Sequence, residues 1–260
     1  MLFRSEEAAD TAGLTAPAEV KAALIARLGR EGRPAAPALV ESAYHRLMQD
    51  REIRQNLQRL RDAGAAVHYY SSDVRDESAF GGLLDEVQGK FGPLSGVIHG
   101  AGVIEDRLVR GKTPESFDRV FDTKVVSARV LAEKLKRDRL RFCVFFSSLA
   151  SRYGNKGQSD YAAANEVLSK LALKLDREWP ARVVSIAWGP WSQVGMVAEL
   201  EKHLVQRGLK LISPEEGPVF VLEELLHGRK GDSEVVIGGG AEQALRPARG
   251  RQRPAEVVRS

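Results

Sequence analysis

Cysteine is almost absent from this 260-residue sequence. The single cysteine, Cys143, lies inside an apolar run, which excludes an internal disulfide framework and favours a reducing compartment. No apolar run approaches the roughly 18 residues that a membrane helix needs, and the N-terminus turns acidic at Glu6 instead of forming a signal peptide. The sequence therefore predicts a soluble, cytoplasmic protein that does not act at a membrane.

Signals for metal and nucleic-acid binding are also lacking. The five histidines are scattered without metal-ligand spacing, so we expect no metal site. The net charge is +4, but the 39 basic and 35 acidic residues are mostly interleaved, as is typical of a solvated surface. The exception is the arginine- and proline-rich segment 241–260, which we interpret as a basic flexible linker in preference to a nucleic-acid arm.

Short apolar strands alternate with helices along most of the chain. A charged helical pattern over residues 19–60 comes first and is interpreted as peripheral. Strands are then predicted at 66–73, 96–99, 142–146, 183–188 and 234–237, and helices at 77–91, 117–135, 158–179 and 214–226. This alternation predicts an α/β fold with a parallel, doubly wound sheet. The predicted division is an N-terminal helical segment (1–50), an α/β domain (51–240) and the linker (241–260).

Small and polar residues follow several of the predicted strands. Ligands of such sheets bind beyond the carboxyl ends of the strands, and glycine lets a flat ligand approach the backbone. These strand ends read Asp73-Val74, His99-Gly100-Ala101-Gly102, Ser147-Ser148 and Gly189-Pro190-Trp191. Their joint occurrence predicts a ligand site at this edge of the sheet.

Two helices carry side chains with catalytic potential. Thr113 is a plausible N-cap for the helix that contains Lys124, and Lys124 falls on the apolar stripe of that helix, where its ammonium would be partly desolvated. The alternative is a surface lysine that extends to solvent. Tyr161 and Asn165 are four residues apart, so they share one face of a later helix.

Together these residues resemble the ketoreductase domain of modular polyketide synthases, a branch of the short-chain dehydrogenase/reductase family. The likeness covers about Arg51 to Gly240. That family uses a helix lysine, a serine thirteen residues before a tyrosine, the tyrosine, and an asparagine four residues after it. The matching residues are Lys124, Ser148, Tyr161 and Asn165. Most of the wider family carries lysine four residues after the tyrosine, so the exchange of lysine and asparagine is specific to the synthase branch.

The resemblance implies NADPH-dependent reduction of a 3-ketoacyl thioester on an acyl carrier protein, within a synthase that contains other domains. Ketone reduction requires a hydride on one side and a proton for the developing alkoxide on the other. Tyr161 would donate this proton and Lys124 would stabilise its anionic form. Ser148 would hydrogen-bond the carbonyl oxygen, and Asn165 would hold Lys124 and a water chain in position.

The same resemblance implies positions for the cofactor. Asp73 and Val74 would meet the adenine, Gly100, Ala101 and Gly102 the adenosine ribose and the floor of the site, and Pro190 and Trp191 the nicotinamide. Arg4 and Ser5 are candidates for the 2′-phosphate of NADPH, and residues 194–208 would form a mobile lid.

The family pattern also bears on product stereochemistry. Ile104-Glu105-Asp106 stands where one class carries Leu-Asp-Asp, and Tyr153 stands where the other class carries tryptophan. This favours the Leu-Asp-Asp class and a 3R alcohol.

The glycine-rich turn that cradles pyrophosphate in the family has no counterpart in this sequence. Gly13, Gly29 and Gly32 lack the spacing, and Leu2-Phe3-Arg4-Ser5 resembles the end of the family's second strand. We therefore expect an upstream segment or a separate polypeptide to supply the first strand-helix unit. Without that unit, we expect the isolated chain to fold poorly and to bind cofactor weakly.

Two alternatives to the synthase reductase stay open at this point. The first is a structural remnant of a reductase that does not bind cofactor, which the absent cradle favours. The second is a free-standing sugar or steroid dehydrogenase, which is disfavoured because those enzymes usually carry lysine where Asn165 stands.

Overall fold

The computed structural model describes residues 6–192, 205, 210–238 and 258–259, and it divides into two compact units, residues 1–72 and 73–260. The predicted boundary at residue 50 falls inside a helix, since the first unit is built on α1 (Pro17–Arg30) and α2 (Pro37–Asp62). Proline at the start of each helix supplies a helical backbone angle where no amide donor is needed. The two predicted helical stretches are thus confirmed, and the glycines and prolines between them mark the break.

The helices of the first unit are mostly polar. Val20, Leu24 and Leu28 form the buried stripe of α1, whereas Val40 is the buried residue of α2. Glu7 accepts hydrogen bonds from Arg51 on α2, which hold the pKa of its carboxyl below the ordinary value. Among the described residues, no helix combines the length and the apolar character that crossing a bilayer requires.

The second unit is a parallel sheet with an antiparallel edge. Its parallel strands, in spatial order, are β1 (Gly96–His99), β2 (Phe142–Ser148), β3 (Arg182–Trp188) and β4 (Glu234–Ile237). The two-residue strand β5 (Val258–Arg259) pairs antiparallel with β4. This short strand was not predicted, and it lies within the segment that the sequence assigned to a linker. Residues 239–257 are outside the described part of the chain.

Helices cover both faces of this sheet. They are α3 (Glu77–Phe91), α4 (Pro114–Lys134), α5 (Leu149–Tyr153), α6 (Ser159–Glu178) and α7 (Glu216–His227), with a 3-10 turn at Val109–Gly111. Cys143 and Phe145 point into a core shared with α3, α4 and α6, while the alternate residues Val144 and Ile186 point into a second core with α7. Alternate strand residues serve opposite faces, and the predicted doubly wound α/β fold is confirmed.

The predicted strand at 66–73 is wrong. Residues 65–73 are not helical and have no strand partner among the described residues. The β-branched and aromatic residues of this segment favour a strand locally, but a strand exists only through its ladder to a neighbour. The other strands and helices after residue 76 lie close to their predicted bounds, and only the short α5 was missed.

Candidate active site

The carboxyl ends of the parallel strands meet at one edge of the sheet. His99 is in register with Phe145, and Ser148 at the end of β2 is in register with Trp188 at the end of β3. The amide of Gly189 donates a hydrogen bond to the carbonyl of Ile237, 2.7 Å away. The strand-end residues that the sequence singled out in the sheet are therefore neighbours in space.

Lys124 lies on the inner side of α4. The helix begins as predicted, with the Thr113 hydroxyl accepting a hydrogen bond from the amide of Ser116 at 3.2 Å. Lys124 is 3% exposed, and its ammonium donates to the carbonyl of Phe146 at 2.9 Å. Burial lowers its pKa to about 8, because the charged form loses hydration. The alternative of a surface lysine is thus wrong.

Tyr161 lies in the first turn of α6, close to this ammonium. The Lys124 Nζ atom is 5.6 Å from the centroid of the Tyr161 ring. Burial raises the pKa of Tyr161 above its ordinary value, and hydrogen bonding with Ser148 and Asn165 partly opposes this effect. The phenol is therefore protonated at neutral pH, the state that a proton donor requires.

The two adjacent serines at the end of β2 have different surroundings. Ser147 is buried, and its hydroxyl donates to the main-chain carbonyl of Asn165 at 3.0 Å. Ser148 is the N-cap of α5, and its hydroxyl oxygen accepts a hydrogen bond from the amide of Ala150 at 3.2 Å. Because that contact uses only an oxygen lone pair, the Ser148 proton is available for a substrate oxygen.

Asn165 is fully buried one turn after Tyr161. Its amide nitrogen donates to the main-chain carbonyl of Tyr161 at 2.7 Å, and its Oδ1 atom is buried without a hydrogen-bond partner among the described residues. The expected direct support of Lys124 by Asn165 is not among the contacts, since the amide bonds to its own helix. A buried acceptor of this kind gains most from an added donor such as a water molecule.

His99 was treated in the sequence only as a strand end, yet it borders this cluster. Its Nε2 atom lies 2.6 Å from the hydroxyl of Ser127, one turn after Lys124 on α4. Burial and the Lys124 charge lower the pKa of His99 to about 4, so the ring is neutral at pH 7. A histidine immediately before Gly100 at a strand end was the available signal.

The residues predicted to meet the adenine stand at the start of the second unit. The Asp73 carboxylate accepts two hydrogen bonds from the Arg75 side chain, at 2.7 and 3.0 Å, which lower the pKa of Asp73 to about 2. Val74 is half-buried in the turn before α3. Arg4 and Ser5, predicted for the 2′-phosphate, lie outside the described residues, as do residues 194–204 and 206–208 of the predicted lid.

The predicted nicotinamide residues follow β3. Pro190 is half-buried, and its carbonyl accepts a hydrogen bond from Ile212. The Trp191 ring packs against the ring of Trp188, with 5.0 Å between centroids, and against the backbone of Gly217 on α7. Because core packing engages this indole, Trp191 has less ring surface for a cofactor than the sequence implied.

The segment at the predicted stereochemical position is held by hydrogen bonds. The Glu105 carboxylate accepts from Ser116 at 2.7 Å and from Arg119 at 2.7 and 2.9 Å, which lowers the pKa of Glu105 to about 2. Asp106 accepts from the Gln158 side chain at 3.1 Å. Tyr153, at the alternative position, is 39% exposed at the end of α5. The preference for a 3R product stays a prediction.

A doubly wound parallel sheet with serine, tyrosine and lysine grouped at its carboxyl edge defines a Rossmann-like fold of the short-chain dehydrogenase/reductase type. The family model described as KR domain matches residues 18–193. The chain therefore belongs to the KR, or ketoreductase, domain family of polyketide synthases. The match includes both helices of the first unit, which the resemblance seen in the sequence did not cover.

Two curated relatives are large synthases. The chain is 33% identical over 209 residues to a polyunsaturated fatty acid synthase of Thraustochytrium sp., which covers 80% of this chain and 7% of the relative. It is 38% identical over 172 residues to the phenolphthiocerol synthesis polyketide synthase type I Pks15/1 of Mycobacterium marinum, with 64% and 8% covered. The chain thus spans less than a tenth of the length of these relatives.

Solved structures give the same assignment. An N-terminal ketoreductase from the macrolactin assembly line matches with a TM-score of 0.65 and 29% identity, over 75% of this chain and 39% of that one. The ketoreductase from the first module of phoslactomycin biosynthesis in Streptomyces sp. HK803 matches with a TM-score of 0.65 and 32% identity, over 74% and 45%.

Proposed function

We propose that this chain reduces a 3-ketoacyl thioester, carried on an acyl carrier protein, to the 3-hydroxyacyl thioester with NADPH, as one domain of a polyketide synthase. The observation that carries the proposal is the 5.6 Å approach of the Lys124 ammonium to the Tyr161 ring, which joins groups from two separate helices. Membership of the ketoreductase family supports a nicotinamide-dependent reductase in general terms. The choice of NADPH and of a carrier-bound substrate goes beyond that membership.

The chemistry assigned to the chain's own residues follows from their states. Tyr161, neutral at pH 7, donates its proton to the substrate oxygen as negative charge develops there. Ser148 donates a hydrogen bond to the same oxygen, a contribution of about 2.7 to 4 kcal/mol for a well-placed donor. Lys124 favours the phenolate that remains after transfer. The cofactor, when bound, supplies the hydride.

The strand-end residues fit the nicotinamide half of such a cofactor. A Cβ atom built at Gly100 would meet no atom nearer than 3.7 Å, so the backbone there is open to close approach. Asn165 Oδ1 is a buried acceptor that lacks a partner among the described residues. Gly100 to Gly102 and Pro190 would bind the cofactor, while Asp73 is already engaged by Arg75. No glycine-rich turn joins a strand to a helix N-terminus within residues 6–192.

The proposed partners are an acyl carrier protein and the other domains of a synthase. The support is the nature of the relatives, whose printed names are those of synthases many times longer than this chain. A cytoplasmic location stays a prediction from the sequence.

Replacing Tyr161 with Phe tests the proposal, because it removes the proton donor and keeps the ring. We expect kcat for NADPH-dependent reduction of a model β-ketoester to fall by at least about 100-fold, while NADPH affinity from a fluorescence titration changes little. Tyr44→Phe makes the same chemical change on α2, in the first unit, and should leave kcat unaltered. Retained turnover in Tyr161→Phe would contradict the assigned role.

The competing hypothesis is a reductase fold that does not bind cofactor. A fluorescence titration of the unsubstituted chain with NADPH distinguishes the two, and it is repeated with the upstream coding sequence included. Binding in either form supports the enzyme. If neither form binds NADPH, the proposed function is wrong.

A further inference from the structure

A buried ion pair lies beside the candidate active site. The Lys112 ammonium is 2.7 Å from Asp160 Oδ2 and donates to the carbonyl of Glu105 at 2.8 Å. The side chains of Lys112 and Asp160 are 6% and 1% exposed. Burying two charges costs hydration free energy, and that cost is offset only when the geometry and the remaining hydrogen bonds are good. A pair this enclosed calls for a specific role.

Asp160 connects this pair to the proton donor. It precedes Tyr161 in the first turn of α6, and its second oxygen, Oδ1, accepts the Tyr161 amide at 2.9 Å. Gln158, the N-cap residue, supplies no side-chain hydrogen bond to the helix. Asp160 therefore provides the carboxylate that a helix N-terminus favours, and Lys112 fixes the position of that carboxylate.

Two further contacts join the same pair of segments. The amide of Arg107 donates to the carbonyl of Gly157 at 3.0 Å, and Gln158 donates to Asp106. A Cβ atom at Gly157 would lie 3.4 Å from the Arg107 amide nitrogen, and Gly157 has a φ of +88°. The segment Glu105–Lys112 is thus bonded at three points to the turn that begins α6.

We infer that Lys112 and Asp160 form a positioning pair, which holds the segment Glu105–Lys112 against the first turn of α6 and thereby sets the place of the Tyr161 phenol. Neither residue contacts the reacting atoms, so both act through Tyr161. The effect on turnover rests on the proposed function, whereas the effect on the segment does not. Misplacement of a reacting group by about 1 Å can cost 100-fold in rate.

A matched control lies on the same helix. Asp176 is also buried, and it accepts hydrogen bonds from the amides of Val183 and Gly231 and pairs with Lys230. It is sixteen residues after Asp160, which places it about 24 Å further along α6. Asp176→Asn therefore perturbs a buried carboxylate of α6 far from Tyr161.

The activity experiment compares Lys112→Met, Asp160→Asn, the double variant and Asp176→Asn, each measured below its own Tm. Asp160→Asn retains an oxygen for the Tyr161 amide, so it serves if Lys112→Met does not fold. We expect the two single variants to lose kcat by about 10- to 100-fold, the double variant to lose no more than Lys112→Met, and Asp176→Asn to lose Tm but not kcat. Unchanged kcat in folded Asp160→Asn, or an equal loss in Asp176→Asn, would overturn the inference.

A second experiment does not depend on turnover. Arg107 and Arg110 are exposed within the segment, so an arginine-specific protease reports on its local opening. We expect cleavage after these residues to be at least about fivefold faster in Lys112→Met and Asp160→Asn than in the unsubstituted chain, and unchanged in Asp176→Asn. Equal cleavage rates in all chains would refute the pair's role. An unsubstituted chain that reduces no ketone would contradict the proposed function, and the cleavage rates would still decide the role of the pair.

Discussion

Lys124 shows how a single position can determine the charge state of a side chain. Its stripe on α4 is otherwise apolar, and the helix carries the ammonium into the interior, where the Phe146 carbonyl is its acceptor. The loss of hydration brings its pKa to about 8, close to neutral pH. The charge of this residue is therefore sensitive to pH in a range where an exposed lysine is fully protonated.

This pKa predicts an alkaline limit for the proposed reduction. Lys124 is charged below about pH 8 and loses its proton as the pH rises through that value. The pKa of Tyr161 lies above its ordinary value, so the phenol does not titrate in this range. We expect kcat to fall above about pH 8. Lys124→Arg keeps its charge throughout, so its kcat, although lower, should not show this fall.

The measurement is kcat from pH 6 to pH 10 with saturating substrates for both chains. A profile for the unsubstituted chain that stays flat to pH 10 would show that the Lys124 charge does not assist turnover.

The adjacent serines allow a paired prediction. Ser148→Ala removes the proposed hydrogen bond to the substrate oxygen and should lower kcat by about 100- to 1,000-fold. Ser147→Ala removes a buried donor to the Asn165 carbonyl and should lower the free energy of unfolding by about 1 to 3 kcal/mol, with kcat changed only a few-fold. Steady-state kinetics and urea denaturation of both variants test this, and the reverse pattern would mean that Ser147 is the residue in contact with substrate.

The two helices that carry the catalytic candidates share one core. Ala128 on α4 and Ala172 on α6 are fully buried in it, and small residues let helix backbones approach closely. Lys124 and Tyr161 meet because of this packing. Neither helix alone places an ammonium beside a phenol.

Helix α7 supports the strand end that follows β3. A Cβ atom at Gly217 would overlap the ring of Trp191. We therefore expect Gly217→Ala to displace Trp191 and to destabilise the fold by about 1 to 3 kcal/mol, with weaker binding of cofactor at the neighbouring Pro190. The measurements are urea denaturation and an NADPH titration.

The control for this change is Gly82→Ala on α3. An added Cβ at Gly82 meets no atom within 4 Å, so alanine should stabilise the helix by about 0.5 to 1 kcal/mol. Similar losses of stability at the two sites would contradict the proposed packing of Trp191 on α7.

The stability of the molecule should depend on pH through His99. Its pKa in the folded state is about 4, against 6.5 for an exposed histidine, so the unfolded chain binds the proton more readily. Stability is therefore highest above pH 6.5 and falls as the pH decreases toward 4, by about 3 kcal/mol for a shift of this size. The carboxylates of Asp73 and Glu105, with pKa values near 2, lose their contribution only at lower pH.

Urea denaturation between pH 7 and pH 4 tests this dependence. His99→Gln retains a donor for Ser127 without a titrating ring, so its stability should change less over this range. His45→Gln, at a side chain that is 63% exposed, should behave like the unsubstituted chain. An identical pH dependence in all three chains would show that His99 does not cause the loss.

Much of this protein could be predicted from its sequence alone. Periodicity and capping residues determined the helices and four of the strands, because those signals act over a few neighbouring residues. The spacing of Ser148, Tyr161 and Asn165, together with Lys124, identified the family and the candidate site before any contact was known. The strand predicted at 66–73 failed because its ladder depends on residues distant in the sequence.

Only the tertiary structure decided how these residues are used. It showed that Ser148 and not Ser147 has a proton available for the site, that the Trp191 ring is engaged by Gly217, and that Lys112 pairs with Asp160. Each of these facts depends on two segments far apart in the chain coming together, and on the hydration that each group loses there. Local sequence patterns specify neither quantity, because both arise from packing between elements.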